Sequence, residues 1–390
     1  MRRRWIVVFA GLAAVGSACS TGGGPVVAEP VVTAPEPTVE RPTVEPTPTP
    51  APTPSATPTP DPRSCIAAWP LEVRVAQLQF PLVAPGELGA ATELVRTVPI
   101  GGVTLLGDAE STLAASLADL RAAAGAMGLI IAIDEEGGRV QRLAGLLGPL
   151  PSAQSVAGGS VDEARELAAA HAGAMADLGI TMNLAPVADV GSAAPIGNRS
   201  YGDDVDSVVA YAAAVTDGID SSGLTAVIKH FPGHGAASAD SHVSVATTPP
   251  LAEMRSRDLV AFGRLISDEV PEAVMVGHLV VPDLTEGLPA TLSPAAVDGI
   301  LRAEFGFDGL VITDAMNMGA ITTQFEASEA VEMAIGAGVD LVMIESITQV
   351  EPLVAALIDA VGAGRLSEAQ IDDSVERVLA TKQVDPCKIG

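Results

Sequence analysis

The sequence is poor in aromatic residues, cysteine and basic side chains, and each shortage excludes a class of protein. Aromatic residues make up 3% of the 390 residues, which leaves little material for a surface that stacks nucleic-acid bases. Three cysteines are too few for a disulfide-dense miniprotein or a four-cysteine zinc site. With 21 Lys and Arg against 48 Asp and Glu, the formal net charge is −27, so we expect no nucleic-acid partner.

Apolar residues, by contrast, are abundant. They make up 48% of the chain, and the mean hydropathy is +0.38, which excludes disorder of the whole chain. The length admits one large domain or two medium ones, either of which could bury a substantial core.

The N-terminus has the pattern of an export signal. Three arginines at positions 2–4 precede a short apolar stretch, residues 5–15, which is too short to span a membrane. Small residues then lead to Cys19, and this arrangement resembles a bacterial lipoprotein signal in which the cysteine receives the lipid. We therefore expect a signal peptide over residues 1–18, an exported protein and a lipid anchor at the cell membrane. The alternative is a plain secretory signal cut near Ala18, which would release a secreted protein.

A proline-rich linker follows the signal. Between Pro25 and Pro62 there are 13 prolines in 38 residues, mixed mainly with Thr, Val, Ala and Glu. Such a segment cannot form a hydrogen-bonded ladder, so we expect residues 19–64 to form a disordered, extended Pro/Thr-rich spacer. At about 3.1 Å per residue it could reach on the order of 100 Å. The folded domain is predicted to cover residues 65–390.

Within that domain, apolar runs of strand length alternate with longer amphipathic stretches. The predicted strands are Val75–Val83, Gly102–Leu106, Leu129–Asp134, Thr181–Ala185, Ala226–His230, Ala273–Gly277, Leu310–Thr313 and Asp340–Ile344. The predicted helices include Ser111–Ala124, Asp162–Leu178, Ser207–Ser221, Leu251–Ile266, Ser293–Glu304 and Glu326–Ala337. Unbroken Val, Ile and Leu runs suit parallel strands that are buried on both faces. Eight such strands alternating with helices predict an α/β fold, a single (β/α)8 TIM-type barrel, rather than an open doubly wound sheet.

Distinctive polar residues follow the strands, where a barrel of this kind keeps its active site. Asp134 and Arg142 flank a Gly-Gly pair after the third strand, and Arg199 lies in a polar loop after the fourth. A carboxylate and an arginine at this edge can hydrogen-bond sugar hydroxyls and acetamido oxygens, or can merely brace the loop.

Three of the five histidines fall within the stretch that begins at Lys229-His230 and ends at Asp240-Ser241-His242. Zinc ligation is one interpretation of this cluster. Lys229 would place a cation beside the metal, however, so we favour a dyad in which Asp240 orients His242 for proton transfer. Asp314 ends the seventh strand, where a carboxylate could be a nucleophile, a metal ligand or a helix N-cap. Asp340 and Glu345, near the last strand, are expected to be solvated and receive no role.

Taken together, five segments resemble the bacterial β-N-acetylglucosaminidases of glycoside hydrolase family 3, the NagZ type. The segments, in chain order, are IDEEGGRVQRL, NRSYG, KHFPGHG, DSH and VITDAMNMGAI. The resemblance implies a retaining hydrolase that needs no cofactor and no metal, with Asp314 as nucleophile and the Asp240–His242 dyad as acid/base. It also implies that five residues hold the terminal N-acetylglucosamine: Asp134, Arg142, Arg199, Lys229 and His230.

For an exported, tethered enzyme, the expected partner is a carbohydrate: N-acetylglucosaminyl–N-acetylmuramyl fragments of peptidoglycan, cleaved during cell-wall turnover. The alternatives are a β-glucosidase or β-xylosidase of the same family, and a sugar-binding lipoprotein that has lost the chemistry. We expect a monomer that faces the cell wall and contacts the membrane through its lipid alone.

The two remaining cysteines bracket the domain. Cys65 stands at its start and Cys387 three residues from its end. The compartment implied by the signal is oxidising, and the first and last elements of a closed barrel are neighbours. The sequence therefore predicts a Cys65–Cys387 disulfide.

Overall fold

The computed structural model describes residues 61–389, so the predicted signal peptide, Cys19 and nearly all of the linker lie outside the described residues. In this range the strands are β1 Gln79–Val83, β2 Gly102–Leu105, β3 Ile130–Ile133, β4 Met182–Asn183, β5 Thr225–Phe231, β6 Ala246–Thr247, β7 Ala273–Val276, β8 Leu279–Val280, β9 Leu310–Thr313 and β10 Val342–Ile344. Eight of them correspond to the eight predicted strands, and β6 and β8 are additional.

Those eight strands form one parallel sheet in the order β10-β1-β2-β3-β4-β5-β7-β9. A parallel bridge between Ile312 and Leu341 joins β9 to the start of β10 and brings the two edges together. The sheet is thus a nearly closed eight-stranded barrel, and the predicted TIM-type architecture is confirmed. The short strands β6 and β8 form a separate parallel pair.

The barrel has a core on each side of its wall, which explains why the strands lack polar alternation. The interior cluster includes Phe80, Leu82, Ile130, Ala132, Met182, Leu184, Val227, Met275, Ile312, Leu341 and Met343. Alternate strand residues, such as Val103, Ile131, Ile228, Val274 and Val311, belong to the larger cluster that includes residues of the surrounding helices.

The surrounding helices mostly follow their strands, as expected for this fold. In the described part of the chain they are α1 Pro62–Ala67, α2 Leu71–Ala76, α3 Leu88–Thr97, α4 Leu113–Ala124, α5 Ala144–Leu147, α6 Ala153–Val156, α7 Val161–Leu178, α8 Val205–Asp220, α9 Leu251–Met254, α10 Asp258–Ser267, a π-helix Ala295–Glu304, α11 Gly319–Thr322, α12 Ala327–Gly336, α13 Val350–Gly362 and α14 Glu368–Thr381. The long helix α7 shows why local sequence predicts such elements. It begins at a capping box of Ser160 and Glu163 and ends at Gly179, which has φ +95°.

Two predicted elements differ from the structure. Strand β1 begins at Gln79, four residues later than predicted, because Val75 and Ala76 belong to the buried face of α2. Arg74 of the same helix pairs with Glu368 and Asp372. The single helix predicted over Leu251–Ile266 is instead two helices, α9 and α10, because the helical conformation is interrupted at Arg257. That break lets Arg257 donate to the Val190 carbonyl.

Helix α14 covers the end of the barrel where the strands begin. Its Val378 belongs to the interior cluster. Asp340 is buried beneath this helix, so the expectation that it is solvated is wrong. Its carboxylate accepts hydrogen bonds from Arg302, Arg377 and Ser374, and from the backbone N–H of Val311. This closed end is called the bottom below.

The predicted disulfide is present at the bottom, where Cys65 of α1 and Cys387 lie with their Cα atoms 5.2 Å apart. Helix α1 already begins at Pro62, three residues before the predicted domain boundary, and Arg63 pairs with Asp373 and Glu376 of α14. None of the helices found in residues 61–389 is both long and apolar enough to cross a membrane.

Candidate active site

A cleft of about 490 Å³ opens at the other end of the barrel, where the strands end. This volume is in the range of small-molecule sites. All eight predicted catalytic and sugar-binding residues line this one cleft: Asp134, Arg142, Arg199, Lys229, His230, Asp240, His242 and Asp314. The residues come from four different stretches of chain, so the barrel topology is what brings them together.

A buried charged cluster lies on one side of the cleft. The Lys229 ammonium, with 2% of its side chain exposed, is 2.5 Å from Asp134 Oδ1 and 2.6 Å from Glu136 Oε1. The Arg199 guanidinium binds both oxygens of Glu136 at 2.7 Å. This bidentate pairing fixes the plane of the guanidinium as well as its position.

The cluster holds Glu136 and Lys229 in their charged forms. Burial alone would raise the pKa of Glu136, but Lys229 and Arg199 lower it to about 2. Burial would likewise lower the pKa of Lys229, yet Asp134 and Glu136 raise it above its ordinary value. The charges are therefore mutually compensated and are present without a ligand.

His230 has a defined tautomer. Its Nδ1 is 2.7 Å from the buried carboxylate of Asp189, which accepts that proton. Burial raises the pKa of Asp189, but the neighbouring His230 more than offsets this, so Asp189 is a carboxylate. The other ring nitrogen of His230, Nε2, lies 3.3 Å from Arg199 Nη2, and because an arginine can only donate, Nε2 is the acceptor in this contact.

Arg142 is presented by a tightly held loop. Glu135 Oε2 accepts the backbone N–H groups of Arg142 and Leu143 at 2.7 and 3.0 Å, and Glu135 Oε1 contacts His171 Nε2 at 3.0 Å. The Arg142 side chain makes no hydrogen bond or ion pair with any residue in 61–389, and its Nε is buried. The backbone of this arginine is thus fixed while its guanidinium has donors left for a ligand.

Asp314 directly follows β9 and also lines the cleft. Its Oδ1 accepts the Ala315 N–H at 2.8 Å, whereas the next helix, α11, begins five residues later and has Met318 at its N-cap. The helix-cap interpretation is therefore wrong. Burial raises the pKa of Asp314, but His230 and His278 lower it below the ordinary value, so the group is an available carboxylate.

His278 supports this segment from below. It is fully buried, and burial lowers its pKa. Its Nε2 donates to the Ala315 carbonyl at 3.0 Å, and its Nδ1 lies 2.9 Å from Thr291 Oγ1. The ring fixes the peptide that follows Asp314.

The Asp240–His242 dyad is formed. His242 Nδ1 lies 2.8 Å from Asp240 Oδ1, which also accepts the His242 backbone N–H at 2.9 Å. The His242 side chain is 59% exposed and the Asp240 side chain 41% exposed, so the dyad is an open part of the site. Burial would raise the pKa of Asp240, but its bonds from His242 lower it.

The structure does not gather the three histidines of this stretch around one point. His230 pairs with Asp189, His234 with Ser241 and His242 with Asp240. In the part of the chain that the structure describes, no group of three His, Cys, Asp or Glu side chains could hold a metal ion. The geometry therefore favours the dyad over the zinc interpretation.

Sequence reasoning missed three residues of this site: Glu136, Asp189 and His278. Each obeys the rule that found the others, because each lies just after a strand end. Glu136 was overlooked beside the more prominent Asp134, while Asp189 and His278 are single polar residues in apolar surroundings. Burial cost is the signal that could have revealed them.

Comparison with known proteins agrees with this geometry. Residues 70–381 match the family model described as "Glycosyl hydrolase family 3 N terminal domain". The chain is 40% identical over 341 residues to "Beta-hexosaminidase LpqI" of Mycobacterium tuberculosis, covering 83% of this chain and 87% of that protein.

Solved structures give the same result. The structure titled "M tuberculosis LpqI" superposes with a TM-score of 0.78 at 38% identity, covering 83% of this chain and 96% of the other. A glycoside hydrolase family 3 β-N-acetylglucosaminidase from Paenibacillus sp. superposes with a TM-score of 0.77 at 34% identity, covering 83% of this chain and 64% of the other. With a match over nearly all of the barrel and a cleft lined by every predicted catalytic and sugar-binding residue, this chain is a glycoside hydrolase and belongs to glycosyl hydrolase family 3.

Proposed function

We propose that this protein is a retaining exo-β-N-acetylglucosaminidase that removes terminal N-acetylglucosamine from peptidoglycan fragments. One observation carries the proposal: Asp314 and the Asp240–His242 dyad line the same cleft as the Lys229–Arg199 cluster. A nucleophile, a proton carrier and a set of sugar-binding donors therefore face one space. The similarity to proteins named β-hexosaminidase and β-N-acetylglucosaminidase supports the choice of sugar.

The first chemical step forms a glycosyl-enzyme. The Asp314 carboxylate attacks the anomeric carbon while the bond from that carbon to the aglycone oxygen breaks. Because an alkoxide leaves poorly, the His242 imidazolium gives its Nε2 proton to the departing oxygen. The ring is held by Asp240 through Nδ1, so Nε2 is the nitrogen that remains for this transfer.

The second step releases the sugar. Neutral His242 now takes a proton from water, whose oxygen attacks the anomeric carbon and displaces Asp314. Two displacements at one carbon give the product the anomeric configuration of the substrate. The histidine returns to its protonated form, and Asp240 stabilises that charge.

The buried cluster binds the sugar that is cleaved. Arg142 offers unpaired donors, while Asp134, Arg199 and His230 line the cleft as polar groups whose orientation is already fixed. Since these groups are ordered without a ligand, binding orders few side chains, which favours affinity and alignment.

A peptidoglycan substrate and a lipid anchor at Cys19 form the finer part of the proposal. The first described helix, α1, lies at the bottom of the barrel, bridged to the C-terminal segment, whereas the cleft opens at the opposite end. The first described residues therefore lie at the end of the barrel away from the cleft. That arrangement suits an enzyme that is anchored to the membrane and acts on the wall.

Substrate comparison tests the proposal. We expect turnover of p-nitrophenyl N-acetylglucosaminide and of N-acetylglucosaminyl–N-acetylmuramyl fragments, with little turnover of p-nitrophenyl glucoside. Equal or faster cleavage of the glucoside would contradict the assigned sugar. Cleavage of chitin disaccharides with no cleavage of wall fragments would contradict the peptidoglycan assignment alone. Mass analysis of the native protein and a Cys19→Ala variant tests the anchor, because lipid should be present only in the native protein.

A further inference from the structure

The segment that carries the proposed acid/base has an unusual burial pattern. Asp240 and His242 are each more than 40% exposed in their side chains, while Ser241 between them is 1% exposed. A serine has little apolar surface to hide, so hydrophobic burial does not explain its position. Its hydroxyl lies 3.0 Å from Nε2 of His234, which is itself only 2% exposed.

His234 is fixed independently of the loop. Its backbone N–H donates to Asp189 Oδ1 at 2.6 Å, so it shares a carboxylate with the sugar-binding His230. Its Nδ1 is buried without a hydrogen-bond partner among residues 61–389. Its Nε2 shares a hydrogen bond with the Ser241 hydroxyl, in which either atom can be the donor.

The other side of the loop rests on the segment that follows Asp314. Ala320 N–H donates to the Ser241 carbonyl at 3.1 Å, and Gly319 N–H donates to the His242 carbonyl at 3.0 Å. A Cβ on Gly319 would come within 2.3 Å of the Val243 carbonyl oxygen, so only glycine permits this approach.

The base of the loop is closed as well. Ser238 N–H donates to the Thr247 carbonyl at 2.8 Å, and β6 pairs with β8. A closed base limits the loop to motions of its tip. The tip is held by the Ser241 side chain on one side and by the backbone of Gly319 and Ala320 on the other.

We propose that Ser241 and His234 are positioning residues that hold the Asp240–His242 dyad over the cleft. Neither touches the reacting atoms. The His234–Ser241 hydrogen bond fixes the peptide between the two dyad members, so that the exposed imidazole keeps the orientation that proton transfer requires. This inference rests on the proposed role of His242 and adds the two residues on which that role depends.

Leaving-group dependence distinguishes positioning from a general structural effect. The value of kcat/KM reports the steps up to cleavage of the glycosidic bond, and protonation matters there only when the leaving group is poor. Ser241→Ala should lower kcat/KM roughly 10- to 100-fold for phenyl N-acetylglucosaminide, since small misplacements cost this much. The same variant should change kcat/KM by less than about threefold for dinitrophenyl N-acetylglucosaminide, whose leaving group needs no protonation.

A matched pair of variants tests His234. Glutamine places its amide N–H near the position of Nε2, whereas asparagine places it near Nδ1 and cannot reach Ser241. His234→Gln should therefore keep most of the activity on the phenyl substrate, and His234→Asn should lose it as Ser241→Ala does. Gly319→Ala, which pushes on the loop from the other side, should show the same dependence on the leaving group.

His242→Ala, measured in parallel, separates the proposed acid/base role of His242 from the proposed positioning role of Ser241 and His234. If His242→Ala shows no dependence on the leaving group, the proposed acid/base role fails. If it shows that dependence while Ser241→Ala and His234→Asn lose activity equally on both substrates, or not at all, the positioning role is overturned. Thermal unfolding of every variant identifies losses that come from lower stability.

Discussion

The two ends of the barrel both bury a carboxylate between cations, yet they use it differently. At the bottom, both oxygens of Asp340 accept two hydrogen bonds each from groups of the protein, and α14 covers the site. At the top, Glu136 is paired with Arg199 and Lys229, but the same end of the barrel also has groups with atoms to spare: the Arg142 guanidinium and His242 Nε2 make no hydrogen bond with residues 61–389. The charged groups at the bottom stabilise the fold, whereas those at the top also have unpaired atoms that can bind a ligand.

This difference follows from what burial costs. A buried charge is tolerated when its hydrogen bonds are complete, and removing one partner leaves the others uncompensated. At the bottom that cost falls entirely on stability. At the top, part of the hydrogen-bonding capacity is left for the substrate, so a change there should affect catalysis more than folding.

The largest effect at the top is expected for Asp314→Asn. The variant keeps the shape of the side chain and its bond from Ala315 but removes the nucleophile, so kcat should fall on the order of 10⁴-fold or more. Because the folded protein holds the pKa of Asp314 below its ordinary value, the carboxylate contributes to stability, so the thermal midpoint should fall slightly. Turnover of p-nitrophenyl N-acetylglucosaminide, together with calorimetry, measures both. Activity within tenfold of the native enzyme would rule out the assigned role.

The matching change at the bottom is Asp340→Asn. It leaves Arg302 and Arg377 without their buried carboxylate, so the free energy of unfolding should fall by about 3–5 kcal/mol. The kcat of the folded protein should be unchanged, because Asp340 is at the far end of the barrel from the cleft. Urea unfolding and steady-state kinetics measure the two quantities, with Glu345→Gln as the exposed control. A strong loss of kcat in the folded variant would contradict the division between the two ends.

The exposed part of the top end is tested by His242→Ala. For substrates with poor leaving groups kcat/KM should fall by roughly 10²- to 10⁴-fold, the usual contribution of general acid catalysis. Stability should hardly change, because 59% of the His242 side chain is exposed. Azide, which can replace water as the attacking nucleophile, should restore part of kcat for activated substrates. An equal loss on all substrates with no effect of azide would make His242 a binding residue.

The disulfide offers a second test of the bottom. Replacing Cys65 and Cys387 together by serine should lower the free energy of unfolding by about 2–4 kcal/mol, because the bridge constrains the unfolded chain. The kinetic constants should not move. Mass spectrometry of unreduced peptides must first find the bridge in the native protein; two alkylatable thiols there would remove the basis of this prediction.

The smallest effect is a dependence on pH. The pKa of Glu136 is about 2 in the folded protein, below its ordinary value of 4.5, so its contribution to stability is complete above pH 4.5 and disappears as the pH falls toward 2. The difference in thermal midpoint between native protein and Glu136→Gln should therefore narrow over that range. A difference that stays constant between pH 6 and pH 3 would show that the carboxylate is not held by Lys229 and Arg199.

Sequence reasoning reached the fold and the outline of the site because both depend on local signals. Apolar runs of strand length predicted the eight barrel strands, and polar residues after strand ends predicted where Asp134, Lys229 and Asp314 would meet. It failed where a partner distant in sequence decides the outcome. Asp340 looked solvated because nothing near it in sequence shows that Arg302, Ser374 and Arg377 surround it.

The same limit applies to the residues that hold the site in place. The sequence predicts the Asp240–His242 dyad, whose members are two residues apart. It does not show that Ser241 is buried against His234, or that His278 supports the peptide after Asp314, because those contacts depend on how the loops fold back. Roles that rest on tertiary contacts become visible only in the structure.

In the proposed mechanism, the carboxylate of Asp314 at the end of β9 becomes covalently bonded to the sugar. A fluorinated N-acetylglucosamine analogue that slows the second displacement should accumulate as a glycosyl-enzyme, and peptide mapping by mass spectrometry locates the bond. We predict one sugar per protein, attached to Asp314 and absent from Asp314→Asn. Label on a different carboxylate, or products with inverted anomeric configuration and no covalent species, would contradict it.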